Sequence, residues 1–217
     1  MIITFATQKG GTGKTTLAIA FANYVSGHSK RRINVYDFDD QKSFYYKWTE
    51  DEVLEIPKLY EVTIVKNGNE EQLFKDFEEL IDLKESDDLN VFDLAGALDA
   101  NYSDLLIYSD FIVIPFEYSD ISVKSTLVFV NFLGLLESQA DRIFIRSKYD
   151  KGYKYLNQAA MDTEIMRYGF LVNSPVYKRN CLQTIDTRSL TYEQKYAVKN
   201  TFNELIEYIN KTINIEL

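Results

Sequence analysis

The chain has 217 residues, 46% of them hydrophobic, a length that suits one α/β domain with a sizeable core and leaves little for a second. Its single cysteine, Cys181, excludes a disulfide framework or a thiolate-rich metal cluster and points to a reducing, cytoplasmic setting. A formal net charge of -9 excludes indiscriminate polyanion binding by the whole surface, and no stretch reads as a leader or a membrane span.

Residues 1–6 form an apolar run that reads as a short buried strand, and Leu17, Ala18, Ala20, Phe21 and Val25 recur at helical spacing. Between them stands Gln8-Lys9-Gly10-Gly11-Thr12-Gly13-Lys14-Thr15-Thr16. Strand, glycine loop, helix is the order of a phosphate cradle. The glycines let successive N–H groups face a polyphosphate, and the helix adds its positive dipole end. Lys14 is expected to neutralise the β and γ phosphates and the Thr15 hydroxyl to sit on Mg²⁺. The common form of this loop, G-x-x-x-x-G-K-[ST], would place a glycine at Gln8. From Lys9 to Thr16 the chain reads K-G-G-x-G-K-T-[ST] instead. A second ammonium at Lys9 repels Lys14 unless enough phosphate charge is present for both.

Lys30-Arg31-Arg32 precede a strand expected at 33–38, where Asp37, Asp39 and Gln41 spell D-x-D-x-Q. Carboxylates spaced by two on a strand share a side, and at a strand's carboxyl end that side borders the ligand crevice. A helix is expected over 41–53; capping it is the competing use for these acids, for Asp40 more than for Asp39. A strand at 60–65, a turn at Asn67-Gly68-Asn69 and a helix through Leu73, Phe74, Phe77, Leu80 and Ile81 follow. Residues 89–93 deliver Asp93 at the end of an apolar run, in place to hold Mg²⁺ through water, with a plain strand-end acid as the alternative.

Residues 110–115 make a further buried strand, ended by Pro115, with Ser119 or Asp120 capping a helix over 121–136. A strand at 142–145 leads into Ser147-Lys148-Tyr149-Asp150, and a last strand at 171–177 into Lys178-Arg179-Asn180. Residues 192–213 form a long helix with Val198, Phe202, Leu205, Ile206 and Ile209 on one face. His28 reads as a helix-end residue, and Trp48 and the tyrosines as packing or surface. Strands alternating with helices, with acid-tipped strands converging on one glycine loop, predict a mostly parallel twisted sheet flanked by helices on both faces. That is a three-layer α/β/α fold, with 1–217 a single domain.

The loop from Lys9 to Thr16 resembles the ParA/MinD family of P-loop ATPases, and the element order is similar over nearly the whole chain. The resemblance implies that ATP and Mg²⁺ are the cofactors, with Lys9, Gly10, Gly11, Thr12, Gly13, Lys14, Thr15 and Thr16 on the nucleotide. It makes Lys9 the signature lysine that reaches, in trans, the phosphates bound by the other subunit of an ATP-joined homodimer. Asp39 would orient the attacking water and, with Asp37, support the Mg²⁺ shell beside Thr15 and Asp93. The adenine would approach Lys148 or Tyr149, and Arg179 would contact DNA without sequence preference. Lys9, Lys14 and Asp39 are thus the implied catalytic set.

Departures from the family pattern are Asp40 in place of proline in D-x-D-P-Q, Leu94-Ala95-Gly96 in place of T-P-P, and Lys178 in place of proline in I-P-R-N. The second alters a switch segment and is expected to slow hydrolysis or change what a partner senses. The implied function is a partition or cargo-positioning ATPase, nucleoid-associated, slow without a ParB-like activating partner. Because the loop begins almost at Met1, an N-terminal operator-reading domain is not expected. Residues 141–200 carry 11 basic against 6 acidic residues while the rest carries 13 against 27, as a localised nucleic-acid face would; scattered solvated charge is the alternative.

Two rival functions fit the loop. A MinD-like ATPase would act on membrane or a protein machine, but Glu204, Glu207 and Glu216 against Lys211 in the last helix repel anionic lipid, so stable membrane association is not expected. A metabolic enzyme similar to dethiobiotin synthetase would need a substrate pocket of its own. The lone cysteine separates the chain from the nitrogenase iron protein.

Overall fold

Strand β1, Ile2–Phe5, is buried along its whole length, which a parallel strand achieves only in the middle of a sheet covered on both faces. The computed structural model, which describes residues 1–39, 41–64, 77–96, 100–214 and 217, has that arrangement. Strands β2 (Ile33–Phe38), β3 (Glu61–Ile64), β4 (Leu89–Leu94), β5 (Phe111–Phe116), β6 (Asp141–Arg146) and β7 (Phe170–Leu171) join β1 in the order β3-β2-β4-β1-β5-β6-β7. Every pairing is parallel.

Alternate residues along each strand face opposite layers. Ile3, Phe5, Val35, Val91 and Val113 meet helices α1 (Lys14–Ser26), α2 (Ser43–Glu50) and α7 (Tyr192–Ile213) through Leu17, Phe21, Phe44, Trp48, Phe202 and Leu205. Ile2, Phe92, Ile112, Ile114 and Phe144 meet α3 (Phe77–Glu85), α4 (Ser103–Tyr108), α5 (Asp120–Leu135) and α6 (Gln158–Ile165) through Leu80, Leu105, Phe129, Leu133 and Ile165. The expected three-layer α/β/α fold is therefore present.

Helix α7 spans the expected residues and opens with a reciprocal cap between Thr191 and Gln194. Its apolar stripe packs on α1, with the Phe202 ring edge-on to Phe21 at 5.5 Å. Glu204, counted above against lipid, accepts the Asn173 N–H at 2.8 Å and the Ser174 hydroxyl at 2.5 Å. Among the described residues no helix is long and apolar enough to cross a membrane. His28 follows α1 and stacks on Tyr24, its Nδ1 2.7 Å from the Tyr24 carbonyl oxygen.

Three expected boundaries move. Strand β5 runs through Pro115 to Phe116. The Val113 carbonyl takes the Ala6 N–H on the β1 side, so Pro115, two residues on, faces the same side after β1 has turned away, and its missing N–H costs no ladder bond. Helix α2 stops at Glu50 and a 3₁₀ turn, Asp51–Leu54, replaces its last residues. The strand expected at 171–177 shrinks to β7 because the chain loops out over Asn173, Ser174 and Pro175. Val172 donates to Phe144 and Val176 resumes at Arg146, while the freed N–H groups of Asn173 and Ser174 go to Glu204. Asp40, the turn Asn67-Gly68-Asn69, Leu73, Phe74 and Glu216 lie outside the described residues.

Candidate functional site

Because all strands are parallel, their carboxyl ends share one edge of the sheet, and the loops leaving β1, β2, β4, β5 and β6 converge there. The glycine loop leaves β1 and turns into α1 through Gly11 and Gly13, at φ +81° and +84°, a region open mainly to glycine. Gly13 is the N-cap residue of α1. No side chain caps that end and no acid stands in the first turn, so the leading N–H groups and the positive dipole end are left for an external anion. The buried Thr12 hydroxyl has no hydrogen-bond partner among the described residues.

Lys14 points under the loop to β4, its Nζ 2.6 Å from Asp93 Oδ1, with both side chains buried. Asp93 Oδ2 has no hydrogen-bond partner among the described residues. Burial pushes the Asp93 carboxyl above the usual carboxylate range, against the pull of Lys14 and Thr15. Asp37 sits beside Asp93 in the register of β2 and β4 and is fully buried. Burial pushes its pKa up to about 6, opposed by the N–H groups of Tyr45 and Asp39 and reinforced by Asp93 and Asp39. Those N–H groups reach Oδ2 and Oδ1 at 2.9 and 3.0 Å, so Asp37 ties the first turn of α2 to the acidic turn. Asp39 lies just past β2, half-buried, its Oδ1 accepting the Gln41 N–H.

Among the described residues no group of three or more His, Cys, Asp or Glu side chains is arranged to hold a metal by protein ligands alone. The residues present nonetheless fit Mg²⁺. That ion keeps several waters and takes one or two carboxylates plus substrate phosphates, and Asp93 offers an unpartnered buried oxygen beside Thr15.

The segment after β4 packs on the loop. A Cβ added at Gly96 would stand 3.2 Å from Gly10 N and 3.3 Å from Gly10 Cα, so the altered sequence places its one side-chain-free residue where the backbone of the loop comes close and a side chain would press it aside. Lys9 is half-buried, and its ammonium has no partner among the described residues.

A cavity of about 470 Å³ beside the loop is lined by Gly13 and Thr16, by Tyr153, Tyr155 and Tyr177, and by Glu117, Lys148 and Asp150. Tyr149, expected near a base, stands behind this wall: its ring lies 5.1 Å from Tyr155, and its hydroxyl donates to Gln158. The tyrosines read from sequence as packing or surface thus include three cavity walls, for which the sequence carries no local signal. Arg179, expected on a DNA surface, is exposed and lines this same cavity. The edge brings together every other expected site residue as well: Lys9 through Thr16, Asp37, Asp39, Asp93 and Lys148.

Comparisons with known proteins agree with this geometry. The family profile described as CobQ/CobB/MinD/ParA nucleotide binding domain matches residues 3–214. Among solved structures, a plasmid partition protein of Borrelia burgdorferi B31 bound to AMPPNP superposes with a TM-score of 0.75 at 18% identity, covering 96% of this chain and 98% of that one. The pNOB8 ParA bound to nonspecific DNA gives 0.63 at 15%, covering 97% and 98%. A chain of the MinC:MinD cell division protein complex of Aquifex aeolicus gives 0.66 at 15%, covering 95% and 96%. At these identities the likeness is one of fold. No curated protein matches the chain.

Proposed function

The chain belongs to the CobQ/CobB/MinD/ParA nucleotide-binding family, and from that premise we propose that it is a Mg²⁺-dependent ParA-type ATPase whose nucleotide joins two copies of the chain. The observation that carries the reading is the uncapped start of α1, preceded by Gly11 and Gly13 and underlain by the buried pair of Lys14 and Asp93. An anion-seeking helix end is there combined with an ammonium that can move from carboxylate to phosphate. Lys14 and the loop N–H groups stabilise charge on the transferred phosphoryl group. Bound Mg²⁺, held by Thr15 and Asp93 with Asp37 supporting, would neutralise the phosphate oxygens. Asp39 orients the attacking water, and Lys9 completes the site of the other copy.

The finer part of the reading is cargo positioning on DNA. Arg179, exposed at the cavity rim, is the residue assigned to a DNA phosphate, and a ParB-like partner would accelerate hydrolysis. DNA retention in saturating Mg²⁺ and ATP tests this, with ATP affinity measured in parallel. Loss of DNA by Arg179→Ala with ATP affinity intact supports the assignment. Loss of both moves Arg179 to the nucleotide, and retention of both removes it from either role.

A further inference from the structure

Lys148 stands in the left-handed backbone region, at φ +52°, an uncommon setting for a residue with a Cβ. The backbone around it is braced. Ser147 donates to the Phe116 carbonyl at 2.7 Å, Tyr149 to Val176 at 3.0 Å, and Lys178 to Tyr149 at 3.0 Å. From this fixed base the side chain runs beside Gly13, where an added Cβ would lie 3.7 Å from Lys148 Cε. Its ammonium then donates to the carbonyl of Gly11 and stands 3.5 Å from Glu117 Oε1 at the end of β5.

An anion cradle needs its N–H groups facing the anion and its carbonyls facing elsewhere, because one inverted peptide puts a partial negative charge against the phosphate. Gly11, without a Cβ and at φ +81°, belongs to the residue type with the least steric resistance to such inversion. Its carbonyl is the one that Lys148 holds. Resting on the nucleotide reading above, we propose that Lys148 is a positioning residue for the phosphate loop: it anchors the Gly11 carbonyl away from the polyphosphate, so that the loop is set before a ligand arrives. Its influence then extends to any Mg²⁺-bound polyphosphate, with or without a base, which a lysine serving only as a wall for adenine would not have.

Calorimetric affinities for Mg²⁺–ATP and Mg²⁺–tripolyphosphate, in the wild type and in Lys148→Met and Lys148→Arg, separate the two roles. Lys148→Met is expected to weaken both ligands by the same factor, roughly three- to tenfold for a half-exposed charged hydrogen bond. Lys148→Arg should recover most of the loss, since a guanidinium also donates to a carbonyl. Lys148→Ala, read by the same comparison, covers poor folding of Lys148→Met. A loss confined to ATP overturns the proposal, as does no loss for either ligand. A wild type that binds neither ligand brings down the nucleotide reading itself, and is distinguished by needing no variant.

Discussion

Lys14 Nζ lies 2.6 Å from Asp93 Oδ1, with 8% of one side chain and none of the other exposed, so the lysine proposed to bind phosphate is paired with a buried carboxylate in the nucleotide-free protein. Removing one partner of a buried pair strands the other charge, at a cost of about 3–5 kcal/mol. Lys14→Ala should therefore lower the stability of the nucleotide-free protein as well as abolish nucleotide binding. Without Lys14, burial raises the Asp93 pKa further, so the stability penalty is full only above that higher value and fades as the pH falls and Asp93 takes a proton. Denaturant melts of wild type and variant across pH check this.

Asp39→Ala should reduce ATP turnover by at least about a hundredfold, the usual scale for losing a group that positions or activates the attacking water, while ATP affinity stays near that of the wild type. Single-turnover hydrolysis beside equilibrium binding separates the two. Unchanged turnover would remove Asp39 from the water-positioning role.

Gly96→Ala should weaken nucleotide binding without a change of fold. The new Cβ would press on the backbone of Gly10 at 3.2 and 3.3 Å, where overpacking costs about 1–3 kcal/mol of stability, and a Gly10 displaced by it no longer presents its N–H to phosphate, which lowers affinity. Titration with Mg²⁺–ATP and a circular-dichroism spectrum of the variant test the expectation.

Asp51 fastens the end of α2 to a segment far along the chain. It accepts the Lys47 ammonium at 2.7 Å, the Thr187 N–H at 2.7 Å and the Thr187 hydroxyl at 3.0 Å. Burial alone would raise its pKa, but these donors together hold it below the ordinary 3.8. A depressed carboxylate stabilises the fold above its unfolded pKa, and the contribution is lost as the pH falls through the folded value. Asp51→Asn should therefore cost about 1–3 kcal/mol at neutral pH, with the gap to wild type closing below about pH 4. Melting curves at pH 7 and pH 3 check the sign.

What the sequence revealed and what it hid divides along physical lines. The glycine loop, Asp93 and the span of α7 were legible because each rests on local rules: left-handed glycines before a helix, an acid ending an apolar run, a cap followed by a 3.6-residue period. Pro115 misled because its effect depends on which neighbour the missing N–H faces, and that is a property of the sheet. The pairing of Asp51 with Thr187 joins residues 136 apart, and no local pattern announces it. The same holds for Tyr153 and Tyr155 as cavity walls, for Gly96 against Gly10, and for the reach of Lys148 to Gly11.

The most direct test of the central claim is the mass in solution of the wild type and of Lys9→Ala, in saturating Mg²⁺ and a non-hydrolysable ATP analogue, by sedimentation equilibrium. The expected result is two chains of 25.2 kDa each for the wild type and one for Lys9→Ala. A wild type that binds the analogue and stays at the mass of one chain would contradict the proposal that nucleotide joins two copies.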